Sequence, residues 1–242
     1  MTKALLIIAL TIFSSFASAQ QIEPIEADRP DQTETPSIVP KGYIQIETGI
    51  GYEQDGWGVG TLTIPTILSK YGVTDRFEVR LITEVVSYHI LANKKTGLVP
   101  VEVGFKTNLI QENGIIPTIS FIGHLSVPDA ASPKFKGHFS HPRFRFAFEH
   151  TLSDDFSIGY NLGLEWEGGG EGDFVYTLTG GYSLSDQLGM YLEAYSSNEY
   201  PWFDGGVTYL ICNDVLLDFS TGIGTGSSYK YFVGVGASFR FH

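Results

Sequence analysis

The chain has 242 residues, 28 of them Gly and 14% aromatic, and a formal net charge of -12; its mean hydropathy is +0.03. The acidity excludes nucleic acid as a partner, because phosphate binding needs a basic face. The near-zero hydropathy excludes a helical membrane protein and fits one large amphipathic β-rich domain.

Residues 1-19 read as a secretory signal peptide. Lys3 gives the positive start, Ala4 to Phe16 the apolar segment, and Ala17-Ser18-Ala19 a small-residue cleavage site before Gln20. The apolar segment is too short for a transmembrane helix, and no later run approaches the roughly 18 apolar residues a helical span needs. Residues 20-40 place Pro24, Pro30, Pro36 and Pro40 among Asp28, Arg29, Asp31 and Glu34. Such a stretch is extended, polar and non-helical. It is expected to be either a flexible leader or a piece tucked into the mouth or lumen of a barrel.

From Lys41 to His242 the period of two dominates, which only strands have. Twelve strands are expected, roughly at 42-54, 59-70, 76-90, 98-110, 115-127, 141-152, 156-167, 173-184, 188-197, 203-212, 215-224 and 230-241. Most match the 9-11 residues a tilted strand needs to cross a bilayer. The alternation is plain at Phe156, Ile158, Tyr160, Leu162 and Leu164 against Ser157, Gly159, Asn161, Gly163 and Glu165. Tight turns at 71-75, 111-114, 153-155, 185-187 and 213-214 alternate with mostly longer connectors at 91-97, 128-140, 168-172, 198-202 and 225-229. That asymmetry is expected of an outer-membrane up-and-down barrel. Pro65 and Pro117 predict bulges or strand ends. The lone cysteine, Cys212, excludes an internal disulfide and is expected to be a small buried strand residue.

The closing stretch Tyr231 to His242 puts Tyr231, Val233, Val235, Ala237, Phe239 and Phe241 on one face, and smaller or polar residues on the other. Gly236, Phe239 and Phe241 resemble the C-terminal assembly signal that barrel proteins show to their assembly machinery. His242 departs from that pattern, which usually stops at the aromatic.

The run Asp28-Arg-Pro-Asp-Gln-Thr-Glu-Thr-Pro36, Gly42-Tyr-Ile-Gln-Ile-Glu47, Ile64-Pro65 and Tyr71-Gly-Val-Thr-Asp-Arg-Phe-Glu-Val-Arg80 resemble the outer-membrane transporter family labelled "MetA-pathway of phenol degradation". The resemblance implies a barrel channel for small, often aromatic compounds. It does not imply phenol for this chain, and it carries no catalytic residues across.

If the apolar faces look towards lipid, the opposite faces line a lumen. By parity these positions are Glu47, Glu53, Arg76, Glu78, Arg80, Glu84, Glu102, Lys106, His124, Arg143, Arg145, Glu149, Glu165, Glu167, Glu193, Asp218 and Arg240. So many charges require a wet or ion-paired interior, since a dry sandwich core cannot hold them unpaired. The solute-contact candidates among them are Arg76, Glu78, Arg80, Glu102, Lys106, His124, Arg143, Arg145, Glu149, Glu165 and Arg240. His124 and Ser126 share one inward face, which speaks against a hydrolase acting on lipid or external peptide.

The expectation is therefore an all-β protein, a transmembrane antiparallel barrel of about 12 strands in the cell outer membrane, its signal peptide cleaved near Ala19. It would act as a passive channel or transporter for small, aromatic or hydrophobic molecules, without cofactor, metal or catalytic residues. Its expected partners are outer-membrane lipid, the barrel-assembly machinery and a small-molecule solute. The alternatives are a closed structural or envelope-stress barrel without transport and a membrane-embedded hydrolase.

Overall fold

A computed structural model describes residues 22–55, 58–90, 93–166, 170–197, 200–226 and 230–242. The expected signal peptide and Glu167 lie outside the described residues. Thirteen strands succeed one another: β1 (Ile44–Gln54), β2 (Val59–Thr74), β3 (Phe77–Ile90), β4 (Asn93–Leu98), β5 (Val101–Ile110), β6 (Thr118–Val127), β7 (Pro142–Thr151), β8 (Phe156–Glu165), β9 (Asp173–Ser183), β10 (Leu188–Ser197), β11 (Tyr200–Cys212), β12 (Val215–Gly224) and β13 (Lys230–Phe241). Apart from β4, each pairs antiparallel with both of its neighbours around the ring, and β1 pairs with β13 from Ile44↔Phe241 to Gln54↔Tyr231, which closes it.

The thirteenth strand, β4, lies almost wholly in the connector expected at 91-97. β3 pairs with β5 along Phe77–Ile82 and with β4 along Val85–Ile90. Pro100 has no N–H and breaks the ladder between them, while Val99 N–H bridges the gap to the Glu84 carbonyl at 3.0 Å. The expected connectors 91-97 and 198-202 are thus mostly strand: β4 starts at Asn93 and β11 at Tyr200. These hairpins outrun the sheet that parity alone defines, leaving 128–141 as the one long described connection. Proline acts as expected at two places. Pro65 sits in a register shift between Thr63 and Thr66, and Pro117 directly precedes β6.

Burial is inverted relative to a soluble protein. The largest fully buried side chains include Lys106, Gln45, Glu47, Glu78 and Asn161, whereas Val79, Leu81, Phe144, Phe146, Leu162 and Phe219 are exposed. Apolar side chains bring no benefit facing water, but facing acyl chains they cost nothing. The molecule is a transmembrane barrel with polar lumen and apolar belt. Cys212 differs from expectation. It is exposed, because a register shift between Leu210 and Cys212 ends the alternation at the rim of β11.

Candidate functional site

The lumen holds more than wall residues. Residues 22–43 precede β1 and run, without helix or strand, among the inward side chains. Asp28 is their hub. Its Oδ2 accepts from Lys70 Nζ at 2.9 Å and from Arg80 Nη2 at 2.9 Å, and its Oδ1 accepts from Lys106 Nζ at 2.7 Å. The three cations come from β2, β3 and β5. Burial alone would raise the Asp28 carboxyl, but Lys106, Lys70 and Arg80 outweigh it and hold it well below the usual carboxylate range.

The rest of the segment is held in two ways. Wall side chains take its backbone amides. Glu47 accepts from the N–H groups of Asp28 and Arg29 at 3.0 and 3.1 Å, Glu193 from Gln32 at 2.8 Å, Asn161 from Glu34 at 2.8 Å and Glu78 from Val39 at 2.7 Å. Wall groups also meet its side chains. Arg29 pairs with Asp218 at 3.1 Å, Glu34 pairs with Arg80, and Thr33 donates to Glu193. A chain without secondary structure thereby satisfies its buried backbone groups.

Gly49 and Gly236 face each other across β1 and β13. A Cβ at either would run into the Arg29 guanidinium, so both leave room for the Arg29–Asp218 pair. Gly236 therefore has a packing task inside the lumen besides the assembly signal proposed for it with Phe239 and Phe241. The latter two rings lie 6.4 Å apart near the end of β13.

The segment divides the space inside. Arg29, Pro30, Asp31, Thr33 and Glu34 border a cavity of about 450 Å³ that reaches the 153–155 turn. Arg29, Pro30 and Gln32 also border a cavity of about 470 Å³ facing the long-loop end. Aromatic rings line that outer space: Tyr52, Tyr88, Tyr195 and Phe232 there, and Trp202 in an adjoining hollow of about 300 Å³ with Arg143 and Arg145. Between the two large spaces stand residues 29–34.

Of the eleven solute-contact candidates, the structure gathers Glu78, Arg80 and Lys106 at the Asp28 hub, with Arg80 Nε 3.8 Å from Glu78. His124 is buried beside them, its Nε2 without a hydrogen-bond partner among the described residues. A Cβ on Gly104 would collide with that imidazole, so the glycine opposite it in register makes the space. Arg143 pairs with Glu102, and Arg145 approaches Glu165 at 3.8 Å and donates to the Gln32 carbonyl at 3.2 Å. Glu149 borders the cavity at the short-turn end. Arg240 closes that end, bonding Asp214 at 2.8 Å and the Glu23 carbonyl at 2.8 Å. Arg76 does not join them. It sits exposed in the turn between β2 and β3, where the strand alternation has already ended.

Parity missed two inward charges, Lys70 and Asp204, both buried. Counting by twos from Thr61 turns Lys70 outward; the register shift at Pro65 turns it in. Pro65 itself was the available signal. Ser126 Oγ, on the same strand face as His124, accepts from the His141 N–H at 2.7 Å.

A family described as "Putative MetA-pathway of phenol degradation" matches residues 27–241. No curated protein sequence matches the chain. Among solved structures, an outer-membrane channel from Pseudomonas putida F1 is 12% identical with a TM-score of 0.65, over 89% of this chain and 100% of that one. The KdgM porin in complex with disordered oligogalacturonate is 15% identical with a TM-score of 0.51, over 81% and 99%. The NanC porin is 11% identical with a TM-score of 0.52, over 80% and 98%. At these identities the likeness is one of fold.

Proposed function

The chain belongs to the family whose description covers residues 27–241, and from that membership and the lumen's construction we propose an outer-membrane channel or transporter that passes small molecules without an energy source. The observation that carries this reading is the division of the lumen into two cavities of about 470 and 450 Å³ by residues 29–34. A purely structural barrel has no need of such voids, because a small barrel is filled by side chains from its own wall. Here the filling is a polar segment that crosses between them.

The ring-lined outer space supports a small solute with an aromatic or hydrophobic face. Its aromatic side chains offer area for stacking at low conformational cost, and Arg143 and Arg145 beside them offer charge. The short turns and both chain ends would face the periplasm, and the 128–141 loop the exterior. Fold likeness to a channel and two porins supports transport over catalysis.

The test is flux into liposomes by the mature chain and by a variant lacking residues 20–36. Deletion should raise single-channel conductance and small-solute flux. Absence of flux in both forms would return the closed structural barrel.

A further inference from the structure

Lys70, Arg80 and Lys106 are 3%, 4% and 0% exposed. They stand on neighbouring strands, Lys70 opposite Arg80 and Lys106 opposite Glu78. All three aim at one carboxylate, and it belongs to a segment outside the wall. Among the described wall residues, the acids that touch them are Glu47, which pairs with Lys70, and Glu78 beside Arg80. Three cations against two acids leave the wall one positive charge in excess. Asp28 answers that charge, and Glu34 adds a second contact to Arg80.

We infer that Lys70, Arg80 and Lys106 form a binding site for the carboxylate of a small monoanionic solute, and that Asp28 occupies this site as a built-in stand-in. The role of the site rests on the proposed channel function; its existence does not. Three nearly dry cations cannot be left to a neutral molecule, because unpaired buried charge is costly. A second cation would be repelled. A carboxylate reproduces what Asp28 supplies, with two oxygens that accept from three donors. Glu47 keeps Lys70 and the Gln45 amide, at 2.9 Å, when the segment moves away. The site therefore stays assembled. A cavity of about 250 Å³ at the short-turn end borders Lys70 and gives an approach to one of the three cations. Tethering makes the Asp28 contact intramolecular, so a free solute competes with it and with the segment's other contacts to the wall at once. Passing anions thus bind briefly, as conduction through a channel requires.

The test is chemical rescue of Asp28→Ala in the detergent-folded mature protein, with benzoate as the probe. The variant should melt below the wild type. Benzoate at ~100 mM should then raise its Tm by about 3–6 °C over equal chloride, given a site of ~10 mM affinity. Benzamide should give no such rise, and the wild type should not respond to benzoate. The rise should vanish in the double variant Asp28→Ala, Lys106→Met. Should Asp28→Ala not fold, Asp28→Asn leaves the same cations short of one charge and takes its place. An equal rise with chloride or benzamide, or one that survives in the double variant, would overturn the inference. Rescue without liposome flux would keep the site and remove the transport reading. Flux without rescue would keep the channel and remove the site.

Discussion

Replacing Lys106 with Met isolates how the segment is held. The methionine keeps the length of the side chain and removes the ammonium that donates to Asp28 Oδ1 at 2.7 Å and to the Thr35 carbonyl at 2.7 Å. Breaking a buried ion pair by removing one partner costs about 3–5 kcal/mol. Asp28 keeps Lys70 and Arg80, so the low end applies here, about 3 kcal/mol, or roughly a 100-fold shift from docked to undocked segment. The reporters are built in. The amides of Asp28, Arg29, Gln32, Glu34 and Val39 are bonded to wall side chains and to no strand. Their hydrogen exchange in the folded barrel reads local opening, not global unfolding. Those of Asp28, Arg29, Gln32 and Glu34 should exchange roughly 100-fold faster in Lys106→Met, while that of Val39, at the anchored end, and the ladder amides of β8 and β12 keep their rates. An acceleration below about 10-fold would show that Asp28 is not the hub. Acceleration of β5 and β6 amides by the same factor would show that Lys106 supports the wall instead.

Face parity can be tested by charge. Leu162→Arg, 41% exposed on the apolar belt, should cost about 2–4 kcal/mol on folding into lipid near the midplane, whereas Thr61→Arg, in the outer cavity and opposite Glu53, should be nearly neutral; equal losses would refute the inside-out assignment. Asp31 is pushed well above the usual carboxylate range by burial and then by Glu193, so its contribution to docking is present below about pH 4 and lost as pH rises through the raised value. Asp31→Asn should therefore slow exchange of the Gln32 amide near neutral pH and make no difference in acid. Phe241→Ala should lower outer-membrane abundance in cells more than refolding into lipid, where loss of one ring costs roughly 1.5–3 kcal/mol at most; equal losses would reduce Phe241 to packing. Converting Arg143 and Arg145 together to Ala leaves Glu102 and Glu165 without their arginines and should move the reversal potential in a salt gradient towards cations.

The barrel was legible because lipid and lumen demand opposite residues at alternate positions. Phe144, Phe146 and Leu162 against Arg145 and Asn161 leave one orientation open. What escaped was wherever that period fails. Lys70 lies past the Pro65 register shift, Cys212 past the shift at Leu210, and Arg76 in a turn. β4 escaped because Asn93-Lys-Lys-Thr-Gly-Leu98 is mostly polar and exposed and carries no alternation. The site was less legible for another reason. Strand parity says which charges face inward, but not which of them meet, since that depends on register between strands. The pairing of Lys70 with Arg80 across β2 and β3 depends on the register shifts that flank it. No periodicity marks the segment's partners at all, because wall side chains bind its backbone as much as its side chains.

The distribution of contacts along the segment says how it can move. Its two apolar anchors, Ile25 and Val39, are each 4% exposed and both lie towards the short-turn end: Ile25 N–H bonds the Asn213 carbonyl at 2.8 Å, and Val39 N–H bonds Glu78 near the start of β3. Burial of each is worth roughly 1.5–3 kcal/mol, and water cannot replace it. Between them, Asp28 to Thr35 is held by ionic and polar contacts, with cavities on both sides of residues 29–34. Water can take over the polar contacts, and an anionic solute those of Asp28, one at a time. The middle can therefore leave as a loop while both ends stay docked, which opens the lumen without expelling the chain. In the Lys106→Met exchange experiment this separates the amides into two groups. Those of Gln32 and Glu34 should accelerate together, and that of Ile25 should keep its protection. If Ile25 accelerates with them, the segment leaves as a whole and the anchors do not hold.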